Sequence, residues 1–163
     1  MTLTGASLLP LLDVDDKNWR GVAFGSHQFH SLFAYYPTRS VVDARYRLVH
    51  NLAYHLKFPI LEDVERTDTW QTLEAAGEAG NATGWVYDYG AYMSRPEWVL
   101  CDTVADPLCQ HNLASNLTHA PRMRTMKEQL RTWQLQTHDP WAICNPATEG
   151  ASWPDTHREV CSF

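Results

Sequence analysis

The chain has 163 residues, a length that fits one globular domain and leaves too little for two independent cores. Hydrophobic residues make up 44% of the chain and charged residues 20%, a composition that argues against extensive disorder. The formal net charge of −6 argues against general binding to nucleic acid or anionic lipid, because both need a positive field. The sequence has neither the roughly 18 apolar residues of a membrane-spanning helix nor the start of a secretory signal.

Residues 1–19 contain Gly5, Pro10 and an acidic cluster, which together predict an extended linker. The first predicted strand covers residues 22–24, a short apolar run that ends at Gly25 and Ser26. Residues 41–50 predict an antiparallel hairpin with its turn at residues 43–44. Its side chains alternate in character, which would place one apolar face on the core and one basic face in water.

The hairpin lies in a basic stretch whose one acidic residue is Asp43. The residues that give the stretch this character are Arg39, Arg45, Arg47, His50, His55 and Lys57. We interpret them as a solvated strand face, balanced by the acidic run at residues 62–68. The alternative interpretation is a local contact for an anionic substrate.

Two helices are predicted further along the chain. Thr67 and Asp68 cap a short helix that contains Trp70 and ends near Gly77. Residues 84–96 are rich in aromatic side chains without a sustained period, and predict an irregular packed segment. A long amphipathic helix begins at Pro121, and its apolar stripe consists of Met123, Met126, Leu130 and Trp133.

The stripe of the long helix needs a flat apolar partner, and the inward face of the strands is available. The sequence therefore predicts an α+β domain over residues 20–142. We expect a small antiparallel sheet of about four strands, packed against the long C-terminal helix and the short helix on one side. Residues 143–163 predict an irregular tail, because they are rich in proline, glycine and polar residues.

Two features are typical of secreted proteins. Asn81 and Asn116 each begin a glycosylation sequon. The chain has four cysteines, Cys101, Cys109, Cys144 and Cys161. An even number suits an oxidising compartment, and four cysteines allow three different pairings. Because these features occur without a signal, we expect an N-terminal portion of the protein to precede this sequence.

Common catalytic and metal-binding motifs are not found in the sequence. Gly25-Ser26-His27 lacks the second glycine of a nucleophile elbow. His27 and His30 are three residues apart, but no third ligand accompanies them, so no metal site is predicted. We therefore expect no catalytic residue and no cofactor in this chain.

A series of short motifs resembles, in the same order, the C-terminal region of the sulfamidase family of sulfatases. The motifs are LTGASLLP at Leu3, VAFGS at Val22, YPTRSV at Tyr36, RYRLVHNL at Arg45, FPI at Phe58, TGW at Thr83, DP at Asp106, NLA at Asn112 and THDPW at Thr137. They span nearly the whole chain. Short motifs such as NLA are weak alone, but the ordered set with THDPW is specific.

The resemblance implies a lysosomal, glycosylated, dimeric hydrolase that removes the sulfate from the nitrogen of glucosamine in heparan sulfate. Such enzymes use a calcium ion and a formylglycine made from a Cys-x-Pro-Ser-Arg motif, both in a larger N-terminal domain. None of the cysteines here lies in that motif. We therefore expect this chain to be inactive alone, and its partners to be the N-terminal catalytic domain, a heparan sulfate oligosaccharide and, at full length, a second copy.

The resemblance also suggests residues at the rim of the substrate pocket: His30, Ser26 and Arg39. His30 matches a family histidine in the loop after the FGS strand, whereas Ser31 replaces the glutamate that follows it in the family. Cys144 and Cys161 match the family's terminal disulfide. Cys101 and Cys109 depart from the family pattern, and a bridge between a strand end and the following turn is an open possibility for them.

Two alternatives remain beside the fragment of a sulfatase. One is a non-catalytic module, derived from a sulfatase, that binds glycans or a partner protein. The other is a fragment without a stable function, which exposes the apolar surface that once contacted its partner domain.

Overall fold

The computed structural model describes residue 9 and residues 21–29, 34–81, 83–84 and 88–142. Within these residues, one sheet has the strand order β1 (Val22–Phe29), β2 (Tyr35–Asp43), β3 (Tyr46–Asn51) and β4 (Trp98–Asp102), with antiparallel neighbours. The helices are α1 (Glu62–Glu65), α2 (Asp68–Glu78), α3 (Tyr89–Met93) and α4 (Ala120–Gln136). Short 3-10 turns cover Leu117–His119 and Pro140–Ala142. The α+β architecture with a four-stranded sheet is confirmed.

The predicted hairpin is formed by β2 and β3. Asp43 fixes its turn, because the carboxylate oxygen Oδ1 accepts hydrogen bonds from the backbone N–H of Arg45 at 2.8 Å and of Tyr46 at 2.7 Å. The resulting register pairs Val41 with Leu48. Both side chains are fully buried, so the turn places the apolar side of the hairpin in the core.

One face of the sheet carries two rows of side chains that cross all four strands. The first row is apolar and consists of Phe24, Val41, Leu48 and Leu100. The second row is mainly polar and consists of Ser26, Arg39, His50 and Trp98. These two rows run next to each other under α4, and we refer to the second as the polar row.

Helix α4 covers this face, as its apolar stripe predicts. Met123, Met126 and Leu130 are buried against the apolar row, and the ring of Trp133 stacks on Phe24 with centroids 5.2 Å apart. Such burial is the main stabilising contribution to a small domain. The long helix is therefore confirmed as the element that completes the core.

The shorter helices lie near the opposite face of the sheet. Side chains of a strand alternate between its faces, and Tyr36 points away from α4 to contact Phe58 at 5.0 Å between ring centroids. Helix α2 is confirmed, with Thr67 Oγ1 accepting the N–H of Trp70 at 3.2 Å. Among the α-helices in the described part of the chain, α4 thus packs on one face and the shorter helices lie near the other, and the expectation of all helices on one side is corrected.

Two local predictions also differ from the structure. The first strand does not end at Gly25 and Ser26 but continues to Phe29. Gly25 pairs with Ser40 of β2, and an added Cβ would lie 2.7 Å from Oγ of Ser40, so a larger residue would require that hydroxyl to move. Helix α3 lies in the segment predicted to be irregular, and begins where Asp88 Oδ1 accepts the N–H of Ala91.

The prediction that the basic residues form a solvated strand face is wrong for Arg39 and His50. Arg39 is 2% exposed and His50 is 5% exposed, because the register turns both toward α4. The disulfide between Cys101 and Cys109 is present, with the two Cα atoms 5.3 Å apart. The predicted bridge between Cys144 and Cys161, the tail at residues 143–163 and, apart from Leu9, the linker at residues 1–19 lie outside the described residues.

Candidate functional site

A buried ion pair lies at the centre of the polar row. Arg39 Nε donates to Asp139 Oδ2 at 2.6 Å, and Nη2 donates to Oδ1 at 2.9 Å. The remaining donor group, Nη1, bonds to the carbonyl oxygens of His27 at 3.1 Å and Thr38 at 2.9 Å. The planar guanidinium suits such two-point contact with a carboxylate. Arg39 therefore ties β1 and β2 to the segment that follows α4.

The position of Asp139 follows from the end of α4. His138 adopts a left-handed backbone conformation with φ of 54°, which turns the chain back after the helix. Asp139 also accepts hydrogen bonds from Gln134 Nε2 at 3.1 Å and from the N–H of Trp141 at 3.1 Å. Burial raises the pKa of Asp139, but the hydrogen bonds from Arg39 and Gln134 outweigh it and leave the pKa below its ordinary value.

Other polar side chains of the motifs have structural partners as well. Asn51 Nδ2 donates to the carbonyl of Pro96 at 2.6 Å. Asn112 extends the edge of β4, since its Oδ1 accepts the N–H of Leu100 at 2.9 Å and its Nδ2 donates to the carbonyl of Trp98 at 2.9 Å. These side chains from RYRLVHNL and NLA thus hold loops against the sheet.

Arg45 and Asp102 form a second ion pair, at the turn end of the sheet. Arg45 Nη2 lies 2.7 Å from Asp102 Oδ2, and Oδ1 of the same carboxylate accepts the N–H of Val104 and of Ala105. The hydrogen bonds from Arg45, followed by those from the backbone of Ala105, lower the pKa of Asp102 to about 2. This carboxylate is therefore ionised and engaged in shaping the turn after β4.

The residues expected at the pocket rim occupy different environments. Ser26 is exposed on β1 and lies directly opposite Arg39, which is buried. His30 lies outside the described residues. The structure thus brings Ser26 and Arg39 together but leaves the guanidinium with partners inside the domain.

An apolar cavity of about 320 Å³ opens at the end of β1 and β2, on the side of the sheet to which Tyr36 points. It is lined by His27, Ala34, Tyr36, Phe58, Pro59, Ile60, Leu61, Val64, Trp70 and Tyr92. Its walls are mainly aromatic and aliphatic. Burial raises the pKa of the Tyr36 hydroxyl, with the charge of Arg95 acting in the opposite direction. Tyr36 is therefore neutral around pH 7 and can contribute only as a hydrogen-bonding group.

A cluster of charged and aromatic groups lies at the other end of the polar row. His50 stacks on Trp98 with ring centroids 3.8 Å apart, and its Nε2 lies 3.4 Å from Glu97 Oε1. Burial lowers the pKa of His50 to about 4, although Glu97 favours the charged form. Lys127 Nζ lies 4.0 Å from the centroid of the Trp98 ring. Sequence reasoning missed this cluster, because only the register shows that β3, β4 and α4 meet there.

The described residues offer no obvious metal centre. No group of three or more His, Cys, Asp or Glu side chains is placed to hold an ion in this part of the chain. Cys101 and Cys109 are bonded to each other, so neither thiol is available for conversion to formylglycine. The described residues thus do not fit the calcium ion or the aldehyde.

The two sequons differ in their local structure. Asn81 is exposed just after α2, and Asn116 is exposed just before the 3-10 turn that precedes α4. Oδ1 of Asn116 accepts the N–H of Thr118 at 3.0 Å. Both asparagines are therefore on the surface, and their glycosylation stays a prediction. None of the helices within the described residues is long and apolar enough to cross a bilayer.

Comparison with known proteins gives a clear relative. The chain is 42% identical over 144 residues to human N-sulphoglucosamine sulphohydrolase. The aligned region covers 88% of this chain and 28% of that enzyme. A protein assigned as a sulfatase from Bacteroides thetaiotaomicron has a TM-score of 0.53 and 17% identity, over 85% of this chain and 21% of that one. A protein whose structure was solved with its substrate D-glucosamine-2-N,6-O-disulfate has a TM-score of 0.49 and 17% identity, over 83% of this chain and 20% of that one.

No protein-family model matches the chain. The sequence match with the human enzyme nevertheless runs through most of the chain, and the TM-score of 0.53 shows a shared fold with the bacterial protein. The resemblance indicated by the motifs is thus confirmed: this chain is similar in sequence to just over a quarter of the human sulphohydrolase.

Proposed function

We propose that this chain is the C-terminal domain of a sulfamidase-type sulfatase, which hydrolyses the N-linked sulfate of glucosamine during breakdown of heparan sulfate. The observation that carries the proposal is the 42% identity over 144 residues with the human enzyme. The chain covers 28% of that enzyme, so the reaction belongs to the larger protein. The formylglycine and calcium expected for such enzymes would be supplied by an N-terminal catalytic domain.

Within this proposal, the domain contributes part of the rim of the substrate pocket. Ser26 is exposed, and the segment that contains His30 follows directly after β1. Arg39 lies opposite Ser26 on β2 with its donors bonded inside the domain, so its role is to position β1 rather than to contact the sugar. The apolar cavity lined by His27 and Tyr36 offers a separate surface for the catalytic domain or for the sugar.

The cellular setting belongs to the same proposal. The disulfide between Cys101 and Cys109 supports an oxidising compartment, and exposed Asn81 and Asn116 would carry glycans there. A lysosomal location and a homodimer of the full-length enzyme follow from the resemblance alone.

The test is an assay of sulfate release from an N-sulfated glucosamine substrate. The purified chain should release none, because the expected nucleophile and metal lie on another polypeptide segment. Co-expression with the catalytic domain encoded upstream should give activity, and should lose it when the cysteine of Cys-x-Pro-Ser-Arg is replaced by alanine. Release of sulfate by the purified chain alone, or an upstream sequence without this motif, would overturn the proposal.

A further inference from the structure

A cavity of about 310 Å³ lies between β4 and the second half of α4. It is lined by His50, Glu97, Trp98, Lys127, Leu130, Arg131, Gln134 and Ala142. Arg39 lies between Ser26 and His50 in the polar row, so the cavity is distinct from the proposed rim. We refer to it as the α4 cavity.

Two cationic side chains line the α4 cavity from successive turns of α4. Lys127 and Arg131 are four residues apart, which places them on the same side of the helix. Neither takes part in the ion pairs found among the described residues. Burial lowers the pKa of the Lys127 ammonium, while Glu97 acts in the opposite direction. The cavity thus contains a partly desolvated cation next to a second, exposed one.

The aromatic neighbours hold Lys127 rather than offering a stacking surface. Its Nζ lies over the ring of Trp98, and His50 stacks on the same ring. A cation over an indole is attracted by the ring and keeps its hydrogen-bond donors for other partners. Recognition in the α4 cavity would therefore depend on charge and hydrogen bonds.

Glu97 is the one carboxylate among the described residues that line the cavity, and it is already close to Nε2 of His50. Two cations against one carboxylate leave an excess of positive charge in a chain whose net charge is −6. The cavity volume is at the lower end of the range for small-ligand sites, which is about 300 to 1,000 Å³. These features select a small anion with several acceptor oxygens.

We propose that the α4 cavity binds a sulfate-type oxyanion, contacted by Lys127 and Arg131. The anion is either free sulfate or a sulfate group carried by a sugar, since both present the same oxygens. The proposal rests on the cavity itself and not on the reaction proposed for the full-length enzyme.

Calorimetric titration of the folded chain with sodium sulfate at pH 7 tests the proposal, with sodium chloride at equal ionic strength as reference. A second titration uses N-sulfated glucosamine, with unsulfated glucosamine as reference, to separate the two sources. Saturable binding in either titration is expected. Lys127→Gln should weaken it about tenfold, as for the loss of one charge-assisted hydrogen bond.

Arg124→Gln is the matched control, because Arg124 is exposed on the same helix but does not line the cavity. It should leave binding unchanged, whereas Glu97→Gln should strengthen binding by removing the competing carboxylate. Circular dichroism and melting curves would confirm that each variant is folded. Absence of saturable binding to both ligands, or equal losses from Lys127→Gln and Arg124→Gln, would overturn the proposal.

Discussion

The ion pair between Arg39 and Asp139 joins two segments that are 100 residues apart in the sequence. Both side chains are buried, and removal of one charge leaves the other without compensation in a region of low polarity. We predict that Asp139→Asn lowers the free energy of unfolding by roughly 3–5 kcal/mol, the range for breaking a buried ion pair. Urea denaturation of the purified chain measures this change.

Two further variants separate the ion pair from side-chain packing. The double variant Arg39→Met with Asp139→Leu removes both charges, and should recover most of the stability lost by Asp139→Asn. Glu128→Gln removes an exposed carboxylate on α4 and should change stability by less than about 0.5 kcal/mol. A loss below about 1 kcal/mol for Asp139→Asn would show that Arg39 finds other partners or reaches water.

His50 predicts a dependence of stability on pH. Burial lowers its pKa in the folded state to about 4, compared with 6.5 for an ordinary histidine. Between these values the unfolded chain binds a proton that the folded chain does not, so stability falls as the pH decreases from 6.5 towards 4. The loss is at most about 3 kcal/mol. Melting curves across this range should show the decrease, and His50→Gln should make it smaller.

The carboxylates with lowered pKa act in a different window. Asp102, Asp106 and Asp139 have pKa values below the ordinary 3.8, so their stabilising effect is lost mainly at pH values below that of the histidine effect. Comparison of His50→Gln with the unchanged chain between roughly pH 4.5 and roughly pH 6.5 therefore isolates the contribution of the imidazole. If the melting temperatures of the two proteins change with pH by the same amount, the lowered pKa of His50 is contradicted.

At the scale of elements, the contact of α4 with the sheet carries the core. Met126 is fully buried in that contact, whereas Leu135 on the same helix is 50% exposed. We predict that Met126→Ala lowers the free energy of unfolding by about 2–5 kcal/mol, through lost burial and a residual cavity. Leu135→Ala, the control on the opposite side of the helix, should cost less than about 1 kcal/mol. Similar losses for both would mean that α4 does not pack through this stripe.

The sequence predicts the elements whose residues share one dominant pattern. Helix α4 has four apolar residues at helical spacing, and the β2–β3 hairpin has alternating side chains on either side of a turn centred near Asp43. For Cys101 and Cys109, at a strand end and in the turn after it, the sequence leaves a bridge open, and the structure contains it. In each case, the signal lies within a short segment of the chain.

Elements that depend on distant partners could not be predicted in the same way. Arg39 belongs to a residue type that is normally exposed, and its burial depends on Asp139, far away in the sequence. Glycine weakens a strand, and only the pairing of Gly25 with Ser40 of β2 shows that the strand continues through it. Helix α3 is too short for a helical period, and its one local signal is the cap at Asp88. The candidate site consists of such long-range contacts.

At the scale of the whole molecule, the two rows of side chains beneath α4 stabilise the domain in different ways. The apolar row supplies the core, and the polar row links β1 to the end of α4 through Arg39. The motifs YPTRSV and THDPW meet in that link, because Arg39 belongs to the first and Asp139 to the second. Their polar residues are thus explained by stability, while Ser26 and the α4 cavity remain accessible for contacts with other molecules.

The free edge of the sheet predicts how the isolated chain behaves in solution. Strand β1 pairs only with β2 among the described residues, and Phe29 at its end is 56% exposed. An unpaired strand edge with an exposed aromatic side chain favours association between copies. We predict that light scattering of the purified chain shows self-association that increases with concentration. Phe29→Lys should reduce it, because a charge at the edge opposes strand pairing.

Leu108→Lys provides the matched control for this edge. Leu108 is 73% exposed, so the variant adds the same charge and removes an exposed apolar side chain, but in the turn after β4. If association proceeds through β1, Phe29→Lys should yield a monodisperse monomer at concentrations where Leu108→Lys still associates. Equal effects of the two variants would attribute association to net charge, and a monodisperse unchanged chain would show that the edge of β1 is protected.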